Sequence, residues 1–239
     1  MLKITNIYDN LKADEKFKSD WGLVLLIQYK DKTIIFDTGA QPEILKNNLE
    51  VAEVKPESID IMIVSHKHWD HIGGAEWLTE QNPNIKIYSP KTWRNKVENK
   101  LYKKAKNIES ISKYTAIDDN LRIIVSKNLF VTELALIIHT SKGIIAITGC
   151  SHTGIDKILK ETIAISNEKI YCIIGGFHLF RSSKKKISRI VNYLKALDIE
   201  LLAPCHCTGD RAEKIISQSF PIAKNGVGAQ YIMNLDNHE

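Results

Sequence analysis

Short apolar runs alternate with polar breaks along almost the whole chain, and most of them are too short to be helices. Residues 23–29 and 33–36 form two such runs joined by Lys30-Asp31-Lys32, a pattern that predicts a β-hairpin ending in Asp37-Thr38-Gly39. Runs at 59–64, 85–88, 121–125, 135–139, 144–147 and 171–174 predict further strands, followed by 200–202 and 230–233. Met1-Leu2-Lys3-Ile4-Thr5 reads as a first strand. Helical period appears at 154–165, where Ile155, Ile158, Leu159 and Ile163 share one face and Thr153 stands as the expected cap. It appears again at 183–197, with Ile187, Ile190, Val191, Leu194 and Leu197 apolar. Strands with helices between them in both halves of the chain predict a layered α/β architecture. Neither a repeat of solenoid period nor a low-complexity linker interrupts it, so one domain over residues 1–239 is the expectation.

Composition narrows the class. Of the 239 residues 44% are hydrophobic and 26% charged, close to the average for globular proteins, so a sizeable core is available. No apolar run approaches the roughly 18 residues needed to cross a bilayer. The opening residues lack a signal peptide's charged and apolar regions, and a cytoplasmic protein is expected. The four cysteines, Cys150, Cys172, Cys205 and Cys207, show no disulfide-framework spacing. A net charge of +5 favours a small anionic ligand without demanding nucleic acid.

Part of that charge is concentrated. Residues 90–118 carry Lys91, Arg94, Lys96, Lys100, Lys103, Lys104 and Lys106 against Glu98, Glu109 and Asp118. The segment is too long for a simple connection. It can be a basic, lid-like insertion that attracts a phosphate-bearing substrate, or a solvated amphipathic helix burying Trp93, Val97 and Leu101.

Ser65-His66-Lys67-His68-Trp69-Asp70-His71 carries the most chemistry. Three of the chain's 8 histidines and a carboxylate follow one apolar run and precede Gly73-Gly74. His66 and His68, two apart in extended chain, project to the same side. Asp70 and His71 begin the turn into a helix and can point to a neighbouring spot. One metal ion, or two side by side, suits this spacing. Three more histidines sit at strand exits, where sites in α/β sheets are built. They are His152 after 144–147, His178 after Gly175-Gly176-Phe177, and His206 in Pro204-Cys205-His206-Cys207. His152 and His206 read as metal ligands, and His178 as a group facing substrate. If 205–207 is extended, Cys205 and Cys207 face away from His206 and serve packing. Cys150 can be a small buried residue or a thiolate bridging two ions.

His66-x-His68-x-Asp70-His71, with Asp37-Thr38-Gly39 before it and His206 after it, resembles the metallo-β-lactamase-fold superfamily. That resemblance implies an αββα four-layer sandwich, two mixed β-sheets with helices on the outer faces, and a dinuclear metal site. Trp21-Gly22-Leu23, Gly149-Cys150-Ser151-His152, 174–179, 204–209 and Gly226-Val227-Gly228 resemble the branch named for dihydropterin-(ribofuranosyl)aminobenzene-phosphate synthase. The resemblance implies that His66, His68 and one later histidine hold one ion, and Asp70, His71 and His206 the other. The chain departs from the superfamily pattern where Cys150 replaces the usual bridging Asp. The third ligand of the first ion also lacks its usual histidine. His139 lies inside an apolar strand, so His152 is the substitute.

Imidazoles with a carboxylate suit zinc, with manganese or iron as alternatives. Two such ions lower the pKa of water and polarise a phosphoryl or carbonyl oxygen. Asp37 is expected to orient ligands or to cap its own bend. Asp70 and His178 are the expected catalytic groups. The function expected is a metal-dependent hydrolase or transferase acting on a small phosphorylated substrate, a pterin diphosphate among them. Alternatives are a nuclease or phosphodiesterase of the same superfamily, and a non-catalytic metal-bearing binding module.

Overall fold

The computed structural model describes residues 1–93 and 102–234. The chain divides into two compact units, Met1–Ser112 with Asn225–Glu239, and Lys113–Lys224.

The first unit is built on a sheet of seven strands among the described residues: β1 (Leu2–Tyr8), β2 (Val24–Tyr29), β3 (Lys32–Phe36), β4 (Ile61–Ile63), β5 (Lys86–Pro90), β6 (Asn107–Ile111) and β13 (Gln230–Met233). Their spatial order is β13-β1-β2-β3-β4-β5-β6. The pairs from β13 to β3 are antiparallel and those from β3 to β6 parallel. The expected hairpin is present, with Tyr29 opposite Lys32 and a two-residue turn at Lys30-Asp31. The parallel strand β4 is buried at every position, which is why its sequence is continuously apolar rather than alternating. Helices α1 (Pro42–Val51), α2 (Trp69–Ile72) and α3 (Ala75–Gln81) complete the unit. Leu45, Leu49 and Leu78 join Ile35, Met62, Val64 and Ile87 in its core.

The second unit carries β7 (Thr115–Ala116), β8 (Leu121–Lys127), β9 (Thr132–Thr140), β10 (Gly143–Thr148), β11 (Ile170–Gly176) and β12 (Leu201–Cys205). They lie in the order β12-β11-β10-β9-β8-β7, parallel from β12 to β10 and antiparallel beyond. Both sheets are therefore mixed, in the α/β class the alternating pattern predicts. The helices of this unit are α4 (Ile155–Ser166), α5 (Lys184–Lys195) and α6 (Asp210–Ser217). Of the predicted apolar faces, Ile155, Ile158 and Leu159 of α4 and Ile187, Ile190, Val191 and Leu194 of α5 are buried with Ile144, Ala146, Ile170 and Ile173. Ile163 and Leu197, the latter beyond the end of α5, are half-buried against them. Each fully buried Ile or Leu contributes about 1.5–3 kcal/mol, so these two stripes hold the helices in place. Among the described residues no helix is long and apolar enough to span a membrane.

Several local expectations change. The run 59–64 contributes only three strand residues, because Pro56–Ser58 forms a 3-10 turn before it and the chain leaves the sheet after Val64. The strands Asn107–Ile111 and Thr115–Ala116 fall where no strand was predicted. Asn107–Ile111 is an edge strand with mostly exposed or half-buried positions, so it lacks an apolar run. Thr153 does not cap α4: Gly154 holds the N-cap position, and the Thr153 hydroxyl bonds Glu133 and Ser126 instead. In the basic segment, Trp93 is buried and stacks on Tyr102, with ring centroids 6.4 Å apart. Lys104 pairs with Glu80 at 3.5 Å on the exposed surface. Arg94, Lys96, Glu98 and Lys100, with the predicted buried positions Val97 and Leu101, lie outside the described residues.

Candidate metal centre

In the first unit the donor motif leaves β4 in extended chain and turns into α2, whose N-cap is His68. His66, His68, Asp70 and His71 are brought together there. The His66 and His68 rings lie 4.6 Å apart and the His66 and His71 rings 4.2 Å apart, centroid to centroid. Nε2 of His66 is 3.0 Å from Nδ1 of His68. The Asp70 carboxylate lies 3.8 Å from Nε2 of His71 and accepts the Trp21 indole N–H at 2.9 Å. The whole segment is drawn onto β3's exit by close backbone contact. Thr38 donates its N–H and its hydroxyl to the His71 carbonyl at 2.8 and 2.9 Å. A Cβ on Gly73 would stand 1.9 Å from the Ala40 carbonyl oxygen, so only glycine lets the chain pass.

Asp37 organises this half. It is fully buried at a positive φ of 63°, and its carboxylate turns toward the motif. Oδ1 accepts the Ser65 backbone N–H at 2.7 Å, and Oδ2 accepts the Ser65 hydroxyl at 2.7 Å. Oδ2 also lies 2.6 Å from Nδ1 of His71, which must donate because a carboxylate only accepts. Ser65 has one hydroxyl proton and gives it to Asp37. Its oxygen, 2.8 Å from Nδ1 of His66, therefore accepts from that nitrogen. Both imidazoles thus carry the proton on Nδ1 and present the Nε2 lone pair, the form a metal ion requires. Asp37 thus orients the His71 ring directly and the His66 ring through Ser65.

In the second unit, donor atoms of Cys150, His152 and His178 lie within 4.8 Å of one another, and so do those of Cys150, His206 and Cys207. The rings of His152 and His178 are 4.1 Å apart. Nδ1 of His178 is buried and makes no hydrogen bond. The extended reading of 205–207 is wrong. His206 adopts a left-handed φ of 49° and opens the 3-10 turn His206–Thr208, which swings Cys207 onto the donor cluster beside His206. Cys207 is therefore not mere packing. Its Sγ–H points to the Cys150 carbonyl at 3.5 Å. Burial opposes its ionisation, but Cys150, His178 and His206 beside it outweigh burial and hold the thiol well below the ordinary range. Gly176 makes room for this cluster, since a Cβ there would lie 2.6 Å from the Cys207 sulfur.

His139 is excluded from the cluster by register. It pairs with Ile144 at the start of β10, whereas Cys150 and His152 follow the other end of that strand, about 13 Å away at 3.3 Å per residue. Its Nδ1 is bonded to Glu168 at 2.7 Å. The residue that sequence reasoning missed is Glu133, near the start of β9 and 2% exposed. It accepts the His152 N–H at 3.0 Å, the Thr153 N–H at 2.7 Å and the Thr153 hydroxyl at 2.8 Å. Burial raises its pKa, with these three donors acting in the opposite direction. A Glu-Leu pair at a strand start carries no signal by which the sequence could have singled it out.

The donors fit divalent ions chemically: neutral imidazoles with fixed tautomers and a carboxylate in one unit, imidazoles with thiols in the other. The comparisons with known proteins agree. Residues 22–206 match the metallo-beta-lactamase superfamily, and the chain belongs to it. This fold implies divalent-metal binding. The chain is 29% identical, over 85% of its length and 86% of the relative's, to the 7,8-dihydropterin-6-methyl-4-(beta-D-ribofuranosyl)-aminobenzene-5'-phosphate synthase of Methanocaldococcus jannaschii. A second, uncharacterised protein of that organism is 30% identical over 91% of this chain and 94% of its own. Among solved structures, Tm1679, a metal-dependent hydrolase of the beta-lactamase superfamily, superposes with a TM-score of 0.84 at 26% identity, covering 98% of this chain and 99% of its own.

Proposed function

We propose that the chain is a metal-dependent hydrolase or transferase acting on a small phosphorylated substrate, with a pterin diphosphate the leading candidate. The ligands of two divalent ions, zinc foremost, are His66, His68, Asp70, His71, His152 and His206. The observation that carries this reading is the Asp37–Ser65 network, which fixes two imidazoles as Nε2 donors. The pterin and phosphate of the substrate class rest on the name of the M. jannaschii relative. Bound ions supply Lewis acidity at a phosphoryl oxygen and lower the pKa of water.

The chain's own groups do the rest. Asp37 holds the protons of His66 and His71 on their far nitrogens. Trp21 holds the Asp70 carboxylate through its indole N–H, and Asp70 is the group that takes a proton. Nδ1 of His178, with no hydrogen bond of its own, is the site from which a proton reaches the leaving group.

Metal analysis after gel filtration is expected to find two ions per chain. The zinc- or manganese-loaded protein should turn over at least one of a phosphodiester, a pyrophosphate and a pterin diphosphate. His178→Ala should lose turnover while keeping its metal content. Failure on all three substrates with both ions bound refutes the reading, and a single ion without turnover marks a metal-bearing binding module.

A further inference from the structure

The Lys113–Lys224 unit carries a second feature beside its metal-donor residues. Behind His152 and His178 lies a cavity of about 250 Å³, between the first turn of α4 and the side of α5. Its charged lining is Lys157 and Asp156 from α4 with Lys186 and Arg189 from α5. Three cations thus face one carboxylate. Lys157 is engaged, bonding the Lys127 carbonyl and pairing with Glu161 at 3.8 Å. Arg189 reaches Asp156 only at 3.9 Å, a loose pair with the guanidinium two-thirds exposed. The cavity walls also include the N-terminus of a 12-residue helix, where the macrodipole adds partial positive charge.

The space is below the roughly 300–1,000 Å³ of sites that enclose a whole drug-sized ligand. It suits one compact group. We infer that the cavity is an anion subsite that takes a phosphoryl group of the substrate, held by Lys186 and Arg189, with His178 and His152 at its inner wall. This inference rests on the reading of the substrate as phosphorylated and extends it, because it assigns which residues recognise the phosphate not undergoing reaction. Arg189 exchanges its long contact with Asp156 for a two-pronged contact to the anion, the geometry a guanidinium favours. Asp156 opposes binding and so sets its strength.

The probe is inorganic phosphate, titrated calorimetrically into the metal-loaded protein and again after chelation of the metals. Lys186→Ala with Arg189→Ala should raise the phosphate Kd about tenfold in both forms, with metal content and melting temperature unchanged. Asp156→Asn should lower the Kd. Raising the salt concentration should narrow these differences, because the cations are exposed. Phosphate affinity that is unchanged in the double variant and in Asp156→Asn overturns the subsite, whatever the metals do. Dependence on Lys186 and Arg189 in a protein that proves to hold no catalytic metal pair would sustain the subsite while removing the proposed reaction.

Discussion

Asp37→Asn is the substitution with the widest consequence, because its shape is nearly that of the native side chain and only its hydrogen-bonding changes. The native carboxylate accepts three bonds, from the Ser65 N–H, the Ser65 hydroxyl and Nδ1–H of His71. An amide has one oxygen, so two orientations must be weighed. With the oxygen toward the Ser65 N–H, the NH₂ faces His71 and Ser65. His71 then moves its proton to Nε2, Ser65 turns its hydroxyl to Nδ1 of His66, and His66 does the same. Both rings lose the lone pair a metal needs. With the amide reversed, the tautomers survive, but an NH₂ confronts the Ser65 N–H at 2.7 Å in a fully buried place. In that second orientation a buried donor goes unsatisfied, at about 1–3 kcal/mol of stability, whereas the first orientation keeps the hydrogen bonds and loses the metal-binding tautomers. Loss of such a ligand-orienting partner typically lowers metal affinity about 10–100-fold, roughly 1.4–2.8 kcal/mol. Competition against a chromophoric chelator measures the affinity, and imidazole nitrogen chemical shifts report the tautomers directly. Wild-type zinc affinity together with unchanged Nδ1–H tautomers at His66 and His71 would refute the reasoning.

Other outcomes follow from single features. Gly73→Ala places a Cβ 1.9 Å from the Ala40 carbonyl oxygen, and since Gly73 is an ordinary right-handed helical residue the penalty is purely steric. A loss of about 3–5 kcal/mol is expected from urea unfolding, and a loss under 1 kcal/mol would contradict the packing. Glu133→Ala strands the N–H groups of His152 and Thr153, and should cost about 3 kcal/mol while weakening metal binding at His152. Because burial raises the folded pKa of Glu133, its contribution is full below the ordinary carboxylate range and declines as pH rises through the folded value. Glu133→Gln should flatten that part of the stability–pH curve, measured by urea unfolding at stepped pH. Burial, aided by the charge of Asp20, pushes the Tyr8 phenol up to about 12. Unfolded tyrosine titrates near 10, so the stabilisation from Tyr8 holds below pH 10 and is lost as pH climbs toward 12. Tyr8→Phe should remove the last phase of an ultraviolet phenol titration.

The sequence by itself determined what depends on near neighbours. Two apolar runs broken by Lys30-Asp31-Lys32 located the hairpin of residues 23–36, and period 3.6 located the helices Ile155–Ser166 and Lys184–Lys195, because burial writes itself into local spacing. The cluster from His66 to His71 was legible for the same reason: its donors lie within six residues, and an extended chain followed by a turn is enough to gather them. Edge strand Asn107–Ile111 was illegible, since a strand with little burial needs no apolar pattern. The tertiary structure alone decided everything set by contacts distant along the chain. Asp37 meets Ser65 and His71 from 28 and 34 residues away, and that meeting fixes two tautomers no spacing could predict. Glu133 reaches the His152 loop across 19 residues. The left-handed turn at His206 reverses the side that Cys207 faces, which an alternation rule assigns the other way. Residue types at short range name the chemistry, while proton positions and donor directions come from long-range hydrogen bonds that exist only once the sheets have formed.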